Sequence, residues 1–173
     1  MSNGILVAGI GNIFQCDDGF GSEVARRLLG GPPLPDGVKV VDYGIRGVHL
    51  AYELLDGYEA AILVDATCQG DEPGTIYVME PDLDSIETES GLAEAGIVDA
   101  HGMDPASVLT LLRSLGGHVD RILVVGCEPA DVEEGMGLTD AVAGAVDGAC
   151  RIVRNLIENE LSDPQQHRKE THA

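Results

Sequence analysis

The stretch Gly4-Ile5-Leu6-Val7-Ala8-Gly9-Ile10, closed by Gly11-Asn12, decides how this chain folds. A continuous apolar run ended by a turn signal describes a strand buried on both faces, the kind found in parallel sheets covered by helices. A helix is expected next, starting near Asp17-Asp18, because Asp is a good N-cap and negative charge is favoured at a helix N-terminus. Val24, Leu28 and Leu29 then recur at helical spacing, and the cluster Gly30-Gly31-Pro32-Pro33 stops the helix.

Outward from this unit the same alternation repeats. Strands are expected from Val38 to Val41 and from Ala60 to Val64, the latter ending at Asp65, with a short helix over 47–55 between them. Pro73-Gly74 introduces a fourth strand, Thr75 to Met79. Asp104-Pro105 reads as an N-cap followed by proline at the first helical position, and Val108, Leu109, Leu111, Leu112 and Leu115 supply that helix with an apolar face. Arg121 to Val125 form the last core strand, and Thr139 through Ile157 a long C-terminal helix. The segment 80–100, with seven acidic residues and no basic one, is expected to be an exposed loop with one helical turn.

Strands alternating with helices imply a single-domain three-layer α/β/α fold around a mostly parallel, about five-stranded twisted sheet with right-handed crossovers. The domain is expected to span 1–158, with 159–173 a flexible polar tail. Ligands of such sheets bind at the carboxyl ends of the strands.

Composition narrows the function. Hydrophobic residues make up 44% of the 173 but aromatic residues only 3%, with no Trp, so small and β-branched side chains must fill the core. Thirty acidic against ten basic residues give a formal net charge of -20, which repels nucleic acid phosphates and anionic lipid. The first residues carry no export-signal pattern, and no apolar run is long enough to span a membrane. Cys16, Cys68, Cys127 and Cys150 are scattered without CxxC spacing. Reduced thiols in the cytoplasm are the expectation.

Three residues of metal-ligand type fall at strand ends or helix starts: Asp18 after the first strand, Asp65 at the end of the third, and His101 ahead of the Asp104 helix. Together they would form a partial shell with open positions, suited to a borderline divalent ion such as Ni²⁺ or Zn²⁺. Each also has an ordinary explanation: Asp18 as a helix-terminal charge, Asp65 as a turn cap, His101 as a solvated loop residue. Gly9-x-Gly11 starts like a dinucleotide fingerprint, but its third glycine would fall on Phe14, so no nucleotide cofactor is expected. Cysteine catalysis needs a lowered thiol pKa. The acidic setting of Cys16 would raise it, and Cys16, Cys68 and Cys127 are read as small buried or half-exposed thiols. His49 and His118 are read as structural.

Gly9-Ile10-Gly11-Asn12 leading through five residues to Asp18-Gly19-Phe20-Gly21 resembles the opening signature of the hydrogenase maturation endopeptidases. Further matches follow in the family's order: Asp42-Tyr43-Gly44 with Gly47, Leu63-Val64-Asp65-Ala66, Pro73-Gly74-Thr75, Ala100-His101-Gly102, and Val124-Val125-Gly126 with Glu128-Pro129. The similarity covers roughly residues 4 to 157. Asp99-Ala100-His101 stands where many members have Ser-Pro-His.

The resemblance implies an endopeptidase that removes the C-terminal extension of a nickel-iron hydrogenase large-subunit precursor, its partner, once nickel is loaded. Nickel would arrive on the substrate. Asp18, Asp65 and His101 would be the metal ligands, Asp18 or Asp65 would serve in catalysis in the manner of an aspartyl-type enzyme, and Asp42 would recognise the substrate's nickel. The acidic segment 80–100 would be the substrate-selective surface. A nickel-sensing chaperone that holds the precursor without cutting, and a small-molecule metallohydrolase on the same scaffold, are competing readings.

Overall fold

A computed structural model of the chain describes residues 4–81 and 104–162, with side-chain surroundings to residue 159. In chain order the elements are β1 (Ile5–Ile10), a 3₁₀ turn (Cys16–Gly19), α1 (Phe20–Gly30), β2 (Val38–Gly44), α2 (Gly47–Leu54), β3 (Ala60–Ala66) and β4 (Ile76–Met79). After the break come α3 (Pro105–Ser114), β5 (Arg121–Cys127), α4 (Asp140–Ala143) and α5 (Val146–Ser162). The sheet order is β2-β1-β3-β5-β4, parallel throughout except for the antiparallel edge strand β4.

Alternate side chains of the central strands enter opposite cores, as the two-residue period of a strand requires. Ile5 and Val7 of β1 join Ile62, Val125, Phe20, Val24 and Val153 beneath α1 and α5. Leu6, Ala8 and Ile10 join Leu63, Val124, Leu50, Leu54, Leu109 and Leu112 beneath α2 and α3. The three layers expected from the apolar runs are therefore present. Because the chain leaves β1 for β2 on one side and returns to β3 on the other, the strand order reverses between β1 and β3. That reversal is the crevice where ligands of open α/β sheets bind.

Several elements differ from their expected form. Asp17 and Asp18 do not cap α1: they lie in the preceding 3₁₀ turn, the N-cap is Gly19, and no side chain caps that end. Leu29 is 61% exposed, because Val24 and Leu28 already define the buried stripe and Leu29 turns away from it. The C-terminal helix is two helices. α4 closes at Gly144, and the Ala145 amide turns back to the Val142 carbonyl before α5 begins. α5 continues to Ser162, past the point where the polar tail was expected to begin, and residues 163–173 lie outside the described residues. Most of the acidic segment 80–100 is outside them too, since residues 82–103 are not described. Among the described residues, no helix is long and apolar enough to cross a membrane.

Glycine sets how closely α1 approaches the sheet. A Cβ on Gly9 would stand 2.3 Å from the Gly21 carbonyl oxygen, and a Cβ on Gly21 would stand 2.1 Å from that of Val64 and 2.3 Å from that of Ile10. Gly30, at the other end of α1, has nothing within 4 Å of such an atom. Denaturant unfolding is expected to show Gly21→Ala losing about 1–3 kcal/mol or more through overpacking against rigid backbone. Gly30→Ala is expected to be neutral or to gain up to about 1 kcal/mol through helix propensity.

Candidate active site at the carboxyl ends of the strands

The rim is organised around Gly11. Its φ of +138° and the 1.9 Å that would separate a Cβ from the Asp18 carbonyl oxygen require glycine, and the same imagined atom would lie 3.3 Å from Asp65 Oδ1. The β1–α1 loop thus folds back over the end of β1 beside the end of β3. Asp18 is half-buried, and its Oδ2 accepts the Asn12 amide at 2.9 Å, which closes the loop on itself. Asp65 is 5% exposed, and its Oδ1 accepts the Ala66 amide at 2.8 Å.

Burial, and then the charges of Asp18 and Asp104, push the Asp65 carboxyl well above the usual carboxylate range against the pull of the Ala66 amide. Two sequence-predicted site residues, Asp18 and Asp65, are therefore brought together. Asp104 joins them electrostatically. It is also the N-cap of α3, as expected, accepting the Ser107 amide at 2.8 Å. Its capping signature gave no hint of the second role, which comes from where α3 begins. Asp65 and Asp104 line a cleft of about 660 Å³ together with Thr67, Met79, Pro105 and Leu109.

Asp42 lies at the end of β2, in register with Gly9. Its Oδ1 accepts Ser22 Oγ at 2.7 Å and the Gly44 amide at 3.0 Å. It stands on the far side of β1 from Asp65, two strand spacings or about 10 Å away. His101 lies outside the described residues.

Asp17, next to Asp18, does something else. It is fully buried, and its carboxylate accepts the amides of Ala130 (2.8 Å), Asp131 (3.0 Å) and Thr139 (2.7 Å) together with the Thr139 hydroxyl (2.8 Å). The Cys16 amide donates to the Gly135 carbonyl and the Gly135 amide to that of Phe14, so the β1–α1 loop is laced to the 130–139 segment. Glu128, 3% exposed, ties down the β3–β4 loop in the same way by accepting the Gln69 and Gly70 amides and the Tyr77 hydroxyl. Local periodicity gave no signal for either tethering role, because the partners lie far along the chain; Glu128 was visible only as part of the Glu128-Pro129 match.

The thiols are unsuited to nucleophilic attack where their shifts are resolved. Burial, then Asp131, Asp17 and Glu133, raises Cys16, and burial pushes Cys127 up to about 11. Cys68 is exposed rather than buried or half-exposed. His49 is exposed, and His118 pairs with Asp120 at 3.2 Å ahead of β5, at the opposite end of the sheet from the carboxylates.

A doubly wound sheet carrying crowded carboxylates at its switch point describes a class of α/β protein with a polar site there. The sequence profile described as hydrogenase maturation protease matches residues 23–156. The hydrogenase expression/formation protein HupD of Rhizobium leguminosarum is 32% identical over 156 residues, covering 87% of this chain and 74% of that protein. HupD of Rhodobacter capsulatus is 32% identical over 174 residues, covering 92% and 80%. Among solved structures, the hydrogenase maturating endopeptidase HybD from Escherichia coli superposes with a TM-score of 0.72 at 26% identity, covering 92% of this chain and 94% of that one. This chain belongs to the hydrogenase maturation protease family, and it is a peptide hydrolase.

Burial opposes charge on Asp17, but the amides of Thr139, Asp131 and Ala130 outweigh it and hold its carboxyl below the usual range. A depressed folded-state pKa contributes stability above the unfolded value, near pH 4, and loses it as pH falls through the folded value. Asp17→Ala is therefore expected to cost about 2–4 kcal/mol at neutral pH, where several charge-assisted hydrogen bonds are lost. Urea titrations at decreasing pH should show the gap between variant and wild type closing below about pH 4.

Proposed function

We propose that this protein cuts the C-terminal extension from a nickel-iron hydrogenase large-subunit precursor in the cytoplasm, and that it acts only when the substrate carries nickel. The nearness of Asp18 to the buried Asp65 about Gly11 at the switch point carries this reading, although among the described residues no three such side chains stand together as a metal site. Carboxylates gathered in a partly buried place repel one another, and a divalent cation delivered among them reverses the penalty. An incomplete oxygen-rich shell suits a metal presented by another molecule better than one held permanently.

In this reading Asp18 and Asp65 contact the substrate's nickel, and His101 supplies an imidazole. Asp42 reads the same ion from the β2 side. Substrate nickel held there polarises the scissile carbonyl or lowers the pKa of an attacking water. Whichever of Asp18 and Asp65 is less engaged by the metal is then the base that takes the proton from water. Asp65 is suited to hold a proton, since burial and its acidic neighbours favour its neutral form.

Intact-mass analysis of the precursor, nickel-loaded and nickel-free, after incubation with catalytic amounts of this protein tests the proposal. A discrete C-terminal loss in the loaded sample alone is expected. No loss from folded, loaded precursor would leave a non-cleaving, nickel-sensing chaperone as the better account. Asp65→Asn and His101→Ala are each expected to reduce processing by about 10²-fold or more with the thermal transition retained. Full activity in His101→Ala would remove the imidazole from the site.

A further inference from the structure

Asp42 is held asymmetrically. Its donors among the described residues, Ser22 Oγ at 2.7 Å and the Gly44 amide at 3.0 Å, reach the same oxygen, Oδ1. Oδ2 receives no hydrogen bond from the described residues around it. Ser22 lies in the first turn of α1 and is 1% exposed, so solvent does not compete for its hydroxyl. The close approach of α1 to the sheet brings it there: with no side chain on Gly9 or Gly21, residue 22 can reach past β1 to the end of β2.

A carboxylate free to rotate offers a cation either oxygen, or both at once. One whose Oδ1 is engaged by two donors is fixed in rotation and has a single oxygen to give. We propose that Ser22 is the positioning residue that makes Asp42 a one-oxygen reader of the metal in the bound precursor, Oδ2 being the oxygen that contacts it. This rests on the nickel-reading role proposed for Asp42. Ser22 touches neither metal nor peptide and acts only through the orientation of Asp42.

Steady-state processing of nickel-loaded precursor by wild type, Ser22→Ala, Ser22→Thr, Asp42→Ala and the Ser22→Ala/Asp42→Ala double variant tests this, with thermal unfolding followed in parallel. Ser22→Ala is expected to raise KM roughly tenfold, the worth of one hydrogen bond to a charged group, with kcat little changed. Ser22→Thr, which keeps a hydroxyl, should restore most of the loss. In the Asp42→Ala background Ser22→Ala should add nothing, because the group it orients is gone. An unchanged KM in Ser22→Ala, or an equal fold-loss in both backgrounds, would overturn the assignment and leave Ser22 a packing residue of α1.

The two readings fail differently. Asp42→Ala with wild-type kinetics would remove nickel reading from Asp42 and the role of Ser22 with it, whereas a defective Asp42→Ala beside a normal Ser22→Ala would remove only the latter. Should Ser22→Ala not fold, Ser22→Cys keeps the size with a much weaker donor, and the same comparison of backgrounds decides.

Discussion

Backbone packed directly on backbone is the constraint on which the rest depends. At the carboxyl end of β1 there is no room for a Cβ on Gly9, Gly11 or Gly21, and the first turn of α1 consequently rests against the ends of β1 and β3. The geometry of this rim hangs from that contact. It folds the Asn12–Asp18 loop over Gly11, sets Asp18 beside Asp65, and brings Ser22 within hydrogen-bonding distance of Asp42. A methyl group on Gly9 or Gly21 would press the helix off the sheet, and one on Gly11 would push the Asp18 turn off the end of β1.

The frame was legible in the sequence because buried parallel strands write themselves as short apolar runs, and Ile5–Ile10, Ala60–Ala66 and Arg121–Cys127 all do. Asp18 and Asp65 were legible as strand-end carboxylates once the sheet was assumed. The neighbouring pair Asp17-Asp18 was only half readable: two identical side chains in one 3₁₀ turn leave it in different directions, one to the rim and one into the protein. Local pattern carries no information about that choice, which is made by amides more than a hundred residues away. The break between α4 and α5 was hidden for a related reason. Apolar spacing persists across it, and only the change in hydrogen bonding at Ala145 marks it.

The acidic character of the chain also takes on a local meaning. Spread over the surface, a net charge of -20 says little beyond repulsion of polyanions. Concentrated at the end of β3, it makes Asp65 a carboxyl whose neighbours discourage its ionisation. Asp17 and Glu128 show the opposite solution within the same rim, since backbone amides there favour the charged form. Carboxylates satisfied by several donors hold the loops in place, whereas Asp65 accepts a single amide and lies buried beside other acids.

The lacing of Asp17 to Ala130, Asp131 and Thr139 has a consequence in time as well as in space. Its partners lie 113 to 122 residues downstream, so a chain made from its N-terminus cannot fasten the β1–α1 loop until nearly all of the domain has emerged from the ribosome. The loop that bears Asp18 is therefore among the last parts to settle. A chain ending just before Thr139 holds all five strands and the Ala130 and Asp131 amides, yet lacks the Thr139 amide and hydroxyl that complete the set around Asp17.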